Sequence, residues 1–135
     1  MKNIHASCVV FKGKGIMFIG SSGSGKSTSC FRLISEENAV LLADDRIDLF
    51  VEENKIFASC PQNIEGLLEI YGIGIREFPY IKTHKIDLVI ELVKDISEIE
   101  RLPEDNYYEF SEIKLPQYKM LGSDITLVNK LKVLL

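Results

Sequence analysis

The apolar and polar positions at the start of the chain predict a β-hairpin that leads into a helix. Residues 4–11 alternate enough to form a strand, and residues 12–15 (K-G-K-G) are typical of a turn. The apolar run 16–19 then returns antiparallel as a buried strand. Beyond it, a helix to about Ser35 is predicted from apolar residues that share one face, namely Cys30, Phe31, Leu33 and Ile34.

The rest of the chain alternates strand-like runs with polar turns. Residues 39–43 are wholly apolar, which predicts a central strand covered on both faces. After it the pattern predicts a second hairpin (47–51 and 55–60), a strand (67–71), a surface loop (80–85), a strand (86–93), an exposed loop (96–110), a last strand (112–115) and a helix that Ser123 caps and that runs to Leu135.

A phosphate-binding motif stands between the first hairpin and the first helix. It has the P-loop (Walker A) spacing G-x-x-x-x-G-K-S and consists of Gly20, Ser21, Ser22, Gly23, Ser24, Gly25, Lys26 and Ser27. Glycines let the backbone approach a ligand closely, and the loop N–H groups and the start of the helix attract an anion. Lys26 places a positive charge on the outer phosphates, and the Ser27 hydroxyl is suited to bind Mg²⁺. The strand before the motif and the helix after it favour a phosphate site over a flexible Gly/Ser turn.

Composition narrows the class of protein. The 135 residues suffice for a single domain, residues 1–135, with 46% apolar and 27% charged residues. A net charge of −4 argues against non-specific nucleic-acid binding. There is no run long enough for a membrane span and no apolar signal-peptide core at the N-terminus. The three cysteines are far apart in apolar segments, as expected of reduced thiols in a cytoplasmic protein.

Several charged residues are candidates for chemistry beside the P-loop. Asp44 and Asp45 follow the predicted central strand, where carboxylates usually complement a P-loop. Because successive strand residues point to opposite faces, we expect only one of the two to face the phosphate directly. Glu69, between apolar strand positions, either faces water or binds a ligand. Taken alone, His5 is typical of a structural or exposed residue and Arg101 of a solvated one.

Four segments together resemble one family. They are H-A-S at residues 5–7, the P-loop, A-D-D-R at 43–46 and L-L-E-I-Y-G-I-G-I at 67–75, in one order and spacing. This set is similar to the catalytic, C-terminal domain of the bacterial HPr kinase/phosphorylase family, of which the last segment is the most discriminating signature. The resemblance is strongest from His5 to about Phe78. It implies an α/β fold, a P-loop-containing three-layer domain with a mixed β-sheet.

The resemblance implies a serine kinase that is cytoplasmic and regulates the phosphotransferase system. It would use ATP and Mg²⁺ to phosphorylate a serine of the phosphocarrier protein HPr or of an HPr-like carrier. In reverse it would use inorganic phosphate to remove that group as pyrophosphate.

The resemblance also implies roles for individual residues. Lys26 matches the catalytic lysine, Ser27 and Glu69 match the magnesium ligands, and His5 matches the active-site histidine. Asp44 matches the residue that takes the serine proton in the forward direction and returns it in reverse. Arg101 matches a later active-site arginine.

The sequence also departs from the family. Longer family members carry an N-terminal domain that the sequence here does not include, which predicts a short form similar to those of alphaproteobacteria. Residues 114–119 (K-L-P-Q-Y-K) stand where the family has V-R-P-G-R-N, and losing both arginines predicts weak or absent phosphorylase activity. The C-terminal helical extension is shortened, which leaves open whether the homo-oligomer, a hexamer in the family, forms.

Two other readings stay open at this stage. One is a P-loop kinase of a small molecule, although the sequence contains no arginine-rich lid segment. The other is a regulator that binds ATP and a partner without turnover. Retention of Lys26, Asp44 and Glu69 favours an enzyme, because a pure binder needs no base.

Overall fold

The predicted N-terminal strand is divided between two sheets in the computed structural model, which describes residues 1–135. It consists of β1 (Lys2–His5) and β2 (Ser7–Phe11), with Ala6 between them. β2 pairs antiparallel with β3 (Lys14–Ile19), so the predicted hairpin before the P-loop is confirmed. The prediction of one continuous strand over residues 4–11 is wrong, because the Ala6 N–H bonds away from the hairpin, to the Asp45 carbonyl (3.1 Å).

Two helices, a 3₁₀ turn and nine further strands complete the chain. In chain order they are α1 (Lys26–Glu37), β4 (Val40–Ala43), β5 (Arg46–Glu52), β6 (Lys55–Ser59), β7 (Leu67–Ile70), β8 (Gly74–Glu77), β9 (Thr83–Lys85), β10 (Leu88–Val93), the 3₁₀ turn (Ile96–Glu98), β11 (Tyr107–Phe110), β12 (Ile113–Leu121) and α2 (Leu127–Leu134). Neither helix is long and apolar enough to cross a membrane.

A mixed six-stranded sheet forms the centre of the molecule, in the order β11-β12-β10-β3-β2-β4. β10 runs parallel to both β3 and β12, and the other pairs are antiparallel. β4 is therefore an edge strand, not the predicted central one. Leu41 and Leu42 are nevertheless fully buried on its two faces, as predicted. The free edge of β4 is protected because the Ile81 N–H donates to the Leu41 carbonyl at 2.9 Å.

The two faces of this sheet bury separate apolar clusters. One cluster joins the sheet to α1, α2 and β7, with Phe18, Leu33 and Leu131 among its fully buried members. The other cluster joins the central sheet to a four-stranded sheet in the order β1-β5-β6-β9. Met17 and Leu49 are among the fully buried members of this cluster. Helices, central sheet and second sheet make three layers, so the predicted three-layer α/β architecture is confirmed. β7 and β8 form a separate two-stranded hairpin.

The predictions were weakest in the second half of the chain. Part of the predicted loop 80–85 is β9, which pairs with the edge of β6. The end of the predicted loop 96–110 is β11, which pairs with β12 from Tyr107 opposite Pro116 to Phe110 opposite Ile113. β12 is also longer than the predicted 112–115. These segments form strands because they pair with a neighbouring strand, not because their own sequence alternates clearly between apolar and polar residues.

The final helix begins later than predicted. Its N-cap is Thr126, not Ser123. The Asp124 carboxylate accepts hydrogen bonds from the Thr126 N–H (2.8 Å) and hydroxyl (2.7 Å), which organises the turn before the helix.

Candidate functional site

The P-loop connects β3 to α1 with its backbone amides free of side-chain partners. Gly20, Gly23 and Gly25 have φ angles of 146°, 78° and 105°, which residues with a side chain rarely adopt. Gly25 is the N-cap of α1, and no side chain caps the helix there. The first N–H groups of the helix are therefore available to an anion.

The Lys26 ammonium lies against the loop. Its Nζ donates to the Gly20 and Ser21 carbonyls, both at 2.9 Å. Burial lowers the pKa of Lys26, while the nearby carboxylates of Asp45 and Asp44 oppose that change. Lys26 thus places a partly desolvated positive charge at the start of the loop.

The buried Asp44 carboxylate accepts hydrogen bonds from three parts of the site. Only 8% of the residue is exposed. Its Oδ1 accepts hydrogen bonds from the Ser27 hydroxyl (2.6 Å) and the Ser7 hydroxyl (2.7 Å), and its Oδ2 accepts one from the Glu69 N–H (3.3 Å). Both carboxylate oxygens are therefore engaged by the P-loop, β2 and β7. Asp44 does not line the cavity in front of the loop.

Asp45 has the opposite setting, although it is the next residue. Its side chain is 70% exposed and its Oδ1 lies 2.9 Å from the His5 Nε2. Its backbone has a φ of +75°, an uncommon conformation for a residue with a side chain. The Ser7 hydroxyl accepts the Asp45 N–H (3.1 Å), and the Asp45 carbonyl accepts the Ala6 N–H (3.1 Å). Residues 5–7 therefore hold both the backbone and the carboxylate of Asp45.

A cavity of about 400 Å³ lies in front of the P-loop. Its lining is almost wholly polar and consists of His5, Ser7, Ser22, Gly23, Gly25, Lys26, Ser27, Thr28, Asp45, Glu69 and Tyr71. The structure thus brings four of the predicted site residues, His5, Lys26, Ser27 and Glu69, together in one cavity. Tyr71, at 95% exposure, extends the lining onto the β7–β8 hairpin.

Arg101 is not brought to this cavity. It is exposed, between the 3₁₀ turn and β11, and it is absent from the lining. The residues next to Arg101 in sequence instead line a second groove, together with Tyr118; they include Glu98 and Glu100.

Sequence reasoning missed the residues that support the site without a recognisable motif. Ser7, fully buried, bonds to both aspartates. Gly122, directly after β12, packs so closely on the P-loop that a Cβ there would lie 2.2 Å from the Ser24 carbonyl oxygen. The H-A-S segment was a usable signal for Ser7. For Gly122 there was none, because its contact depends on how β12 pairs with β10.

Comparisons with known proteins agree with the fold. The family model described as "HPr Serine kinase C-terminal domain" matches residues 1–125. The "HPr kinase/phosphorylase" of Caldicellulosiruptor bescii is 35% identical over 123 residues, which is 83% of this chain and 39% of that protein. The protein of the same name from Verminephrobacter eiseniae is 34% identical over 140 aligned residues, 98% of this chain and 40% of that protein. The chain therefore spans about 40% of the length of these curated relatives.

A solved structure extends the likeness to three dimensions. The HPr(Ser) kinase/phosphatase from Coxiella burnetii superposes with a TM-score of 0.86 at 27% identity. The match covers 98% of this chain and 94% of that chain. The chain thus shares the fold of that solved structure over almost its whole length.

Proposed function

Because the chain belongs to the HPr serine kinase C-terminal domain family, we propose that it is an ATP- and Mg²⁺-dependent kinase. Its acceptor is a serine of HPr or of an HPr-like phosphocarrier, and its role is regulation of the phosphotransferase system. The observation that carries the proposal is that a P-loop, an acidic residue beside it and an Asp45–His5 pair line one cavity. Phosphoryl transfer to a hydroxyl requires these parts.

The P-loop binds the phosphates of ATP in this proposal. The loop N–H groups and the uncapped start of α1 supply hydrogen-bond donors. Lys26 has two of its three ammonium protons on loop carbonyls, which leaves one for a phosphate oxygen. Charge that develops on the transferring group is thereby stabilised by groups already in position.

The donor set around Ser27 suits Mg²⁺. No group of three or more His, Cys, Asp or Glu side chains converges into an all-protein metal cage. Mg²⁺ at phosphate sites commonly keeps waters and takes few protein ligands, so this absence fits. Ser27 donates its proton to Asp44 and so directs oxygen lone pairs elsewhere, and Glu69 lines the same cavity. Ser27 and Glu69 would hold the ion, which would neutralise phosphate charge when bound.

The geometry favours Asp45, rather than the predicted Asp44, as the group that accepts the serine proton. A general base must reach the acceptor hydroxyl. Asp44 is buried and uses both oxygens in hydrogen bonds to Ser7, Ser27 and the Glu69 N–H, whereas Asp45 is exposed and lines the cavity. We therefore assign Asp44 to positioning Ser27 and Asp45 to proton transfer, with His5 orienting the Asp45 carboxylate. A catalytic role for Arg101 stays a prediction from the resemblance.

A paired substitution tests this assignment. The variants Asp45→Asn and Asp44→Asn are incubated with labelled ATP, Mg²⁺ and HPr from the same organism. We expect Asp45→Asn to retain nucleotide affinity and to lose about 10²- to 10⁴-fold in kcat, the usual contribution of a general base. Asp44→Asn should instead weaken Mg²⁺-ATP binding, since its amide oxygen can still accept from Ser27 and Ser7 but its NH₂ group cannot accept the Glu69 N–H and the negative charge is lost. If Asp45→Asn keeps a normal kcat and Asp44→Asn loses kcat selectively, the general base is Asp44 and our assignment is wrong.

The same assay separates the proposal from its rivals. Label on a serine of HPr supports it. Turnover only with a metabolite identifies a small-molecule kinase. Nucleotide binding without any turnover identifies a regulator.

We propose that the reverse, phosphorolytic reaction is weak or absent. Residues 114–119 carry no arginine, and they lie within β12 rather than in a loop. Its two cationic side chains, Lys114 and Lys119, are exposed on a strand, so this part of the chain has neither the bidentate arginines nor the loop that would receive phosphate. Release of pyrophosphate from phosphoseryl HPr and inorganic phosphate at a rate comparable to the kinase rate would refute the proposal.

A further inference from the structure

Lys94 is brought beside the P-loop by the pairing of two parallel strands. It follows β10 directly, and β10 pairs with β3 from Leu88 opposite Ile16 to Glu91 opposite Ile19. Because parallel strands end at the same edge of a sheet, the residues after β10 run alongside the loop that follows β3. The approach is close, since a Cβ on Gly20 would lie 2.5 Å from the Leu92 carbonyl oxygen.

The Lys94 ammonium lies over the middle of the loop. Its Nζ is 3.6 Å from the position that a Cβ on Gly23 would occupy; Gly23 lines the cavity, and Lys94 lies next to that lining rather than within it. The side chain is exposed and takes part in no salt bridge. The adjacent Asp95 does not neutralise it by a close pair, because that carboxylate caps the 3₁₀ turn by accepting the Ser97 N–H at 2.9 Å.

Two lysines therefore lie along one loop. Lys26 contacts the carbonyls of Gly20 and Ser21, and Lys94 lies beside Gly23. Their ammonium groups are close enough to interact, since the charge of Lys94 adds to the burial that lowers the pKa of Lys26. Lys26 has the Asp45 and Asp44 carboxylates nearby, whereas Lys94 forms no salt bridge, so the Gly23 end of the loop is where added negative charge on an anion is stabilised.

We propose that Lys94 is a second phosphate-binding lysine of this site, which contacts the outer phosphates of a nucleotide, or pyrophosphate, over Gly23. The proposal rests on the proposed nucleotide site and adds a residue to it. Lys94 supplies in cis a positive charge that faces the open side of the loop, where the side chain can move with the ligand. An exposed lysine that merely points into solvent would make no such contribution.

Titration calorimetry with pyrophosphate and with Mg²⁺-ATP tests the proposal on the full chain. The variants are Lys94→Gln, Lys94→Arg and Lys26→Gln, with Lys55→Gln as the matched control. Lys55 is exposed at the start of β6 and takes part in no salt bridge, so its removal changes the net charge equally. Each titration is run at low and high salt, because screening weakens an exposed ion pair.

Lys94→Gln should weaken pyrophosphate binding about 3- to 10-fold at low salt, the effect of one exposed charge-assisted contact, and less at high salt. Lys94→Arg should bind within about 2-fold of the wild type, since it keeps the charge. Lys55→Gln should bind like the wild type. Unchanged affinity in Lys94→Gln, or equal weakening in Lys55→Gln, would overturn the role of Lys94.

The design separates this inference from the proposed function. If Lys26→Gln loses binding while Lys94→Gln does not, the proposed nucleotide site is supported and the proposed role of Lys94 is wrong. If the wild type binds neither pyrophosphate nor Mg²⁺-ATP, both are wrong.

Discussion

Replacing Gly122 by alanine should distort the P-loop although Gly122 touches no ligand in the proposed site. The added Cβ would lie 2.2 Å from the Ser24 carbonyl oxygen and 3.2 Å from the Gly25 Cα. Both partners are backbone atoms, which cannot rotate away. The φ of Gly122 is not positive, so alanine meets no backbone strain there and the contact alone decides the outcome.

The contact sets the size of the effect. An ordinary carbon–oxygen contact needs more than 3.0 Å, so the loop and β12 must separate by about 1 Å. Overpacking of this kind costs about 1–3 kcal/mol, which for a domain of this size lowers Tm by roughly 4–12 °C. A shift of about 1 Å in a site that positions phosphate groups costs on the order of 10²-fold in activity.

Thermal unfolding followed by circular dichroism, together with nucleotide affinity and kinase rate, measures both effects. The exposed neighbour Ser123→Ala is the control and should behave like the wild type. If Gly122→Ala has the wild-type Tm and binds nucleotide equally well, the loop tolerates the contact and the reasoning is refuted. A lower Tm with intact affinity would show that β12 moves and that the P-loop does not depend on it.

Three further predictions concern groups around the site and the final helix. Ser7→Ala removes one donor to the buried Asp44 carboxylate and should cost about 1–3 kcal/mol of unfolding free energy in urea titrations, with wild-type stability as the contrary result. Burial raises the pKa of Cys60 to about 11, so a thiol reagent at pH 8 should modify the native protein far more slowly than the urea-unfolded one, and equal rates would contradict this. A hydrogen bond from Lys130 is the main reason why the pKa of Asp124 falls to about 2. Because this folded-state pKa lies below the unfolded one, the stabilisation is complete above about pH 4 and is lost as pH falls towards 2. The stability of Asp124→Asn should therefore change less than that of the wild type between pH 5 and pH 2.5, and identical pH profiles would show that Asp124 contributes nothing.

The sequence predicted the elements whose signals are local. The hairpin of β2 and β3 follows from alternation around a turn, and the P-loop follows from its own glycine and lysine spacing. Both need only residues that are close in the chain. β9 and β11 were missed, because each is short and owes its strand conformation to a partner strand.

The two aspartates mark the limit for the candidate site. Asp44 and Asp45 do differ in exposure, but strand alternation is not the reason, because both lie in the bend between β4 and β5, where Asp45 has a φ of +75°. Which of them faces the cavity depends on where Ser7 and Ser27 end in space, 37 and 17 residues away from Asp44. Contacts between residues so far apart in the chain leave no local pattern in the sequence, so the sequence did not show which of the two aspartates faces the cavity.

The amino-acid sequence by itself therefore determined that a loop of P-loop spacing lies between a strand and a helix, and it predicted carboxylates near that loop. The tertiary structure decided that Asp44 supports Ser27 while Asp45 pairs with His5, and that Gly122 and Lys94 flank the loop. The reason is physical. Local conformation is set by neighbouring residues, whereas the partners of the loop come from β10 and β12, whose register is fixed only when the sheet assembles and both of its faces are buried.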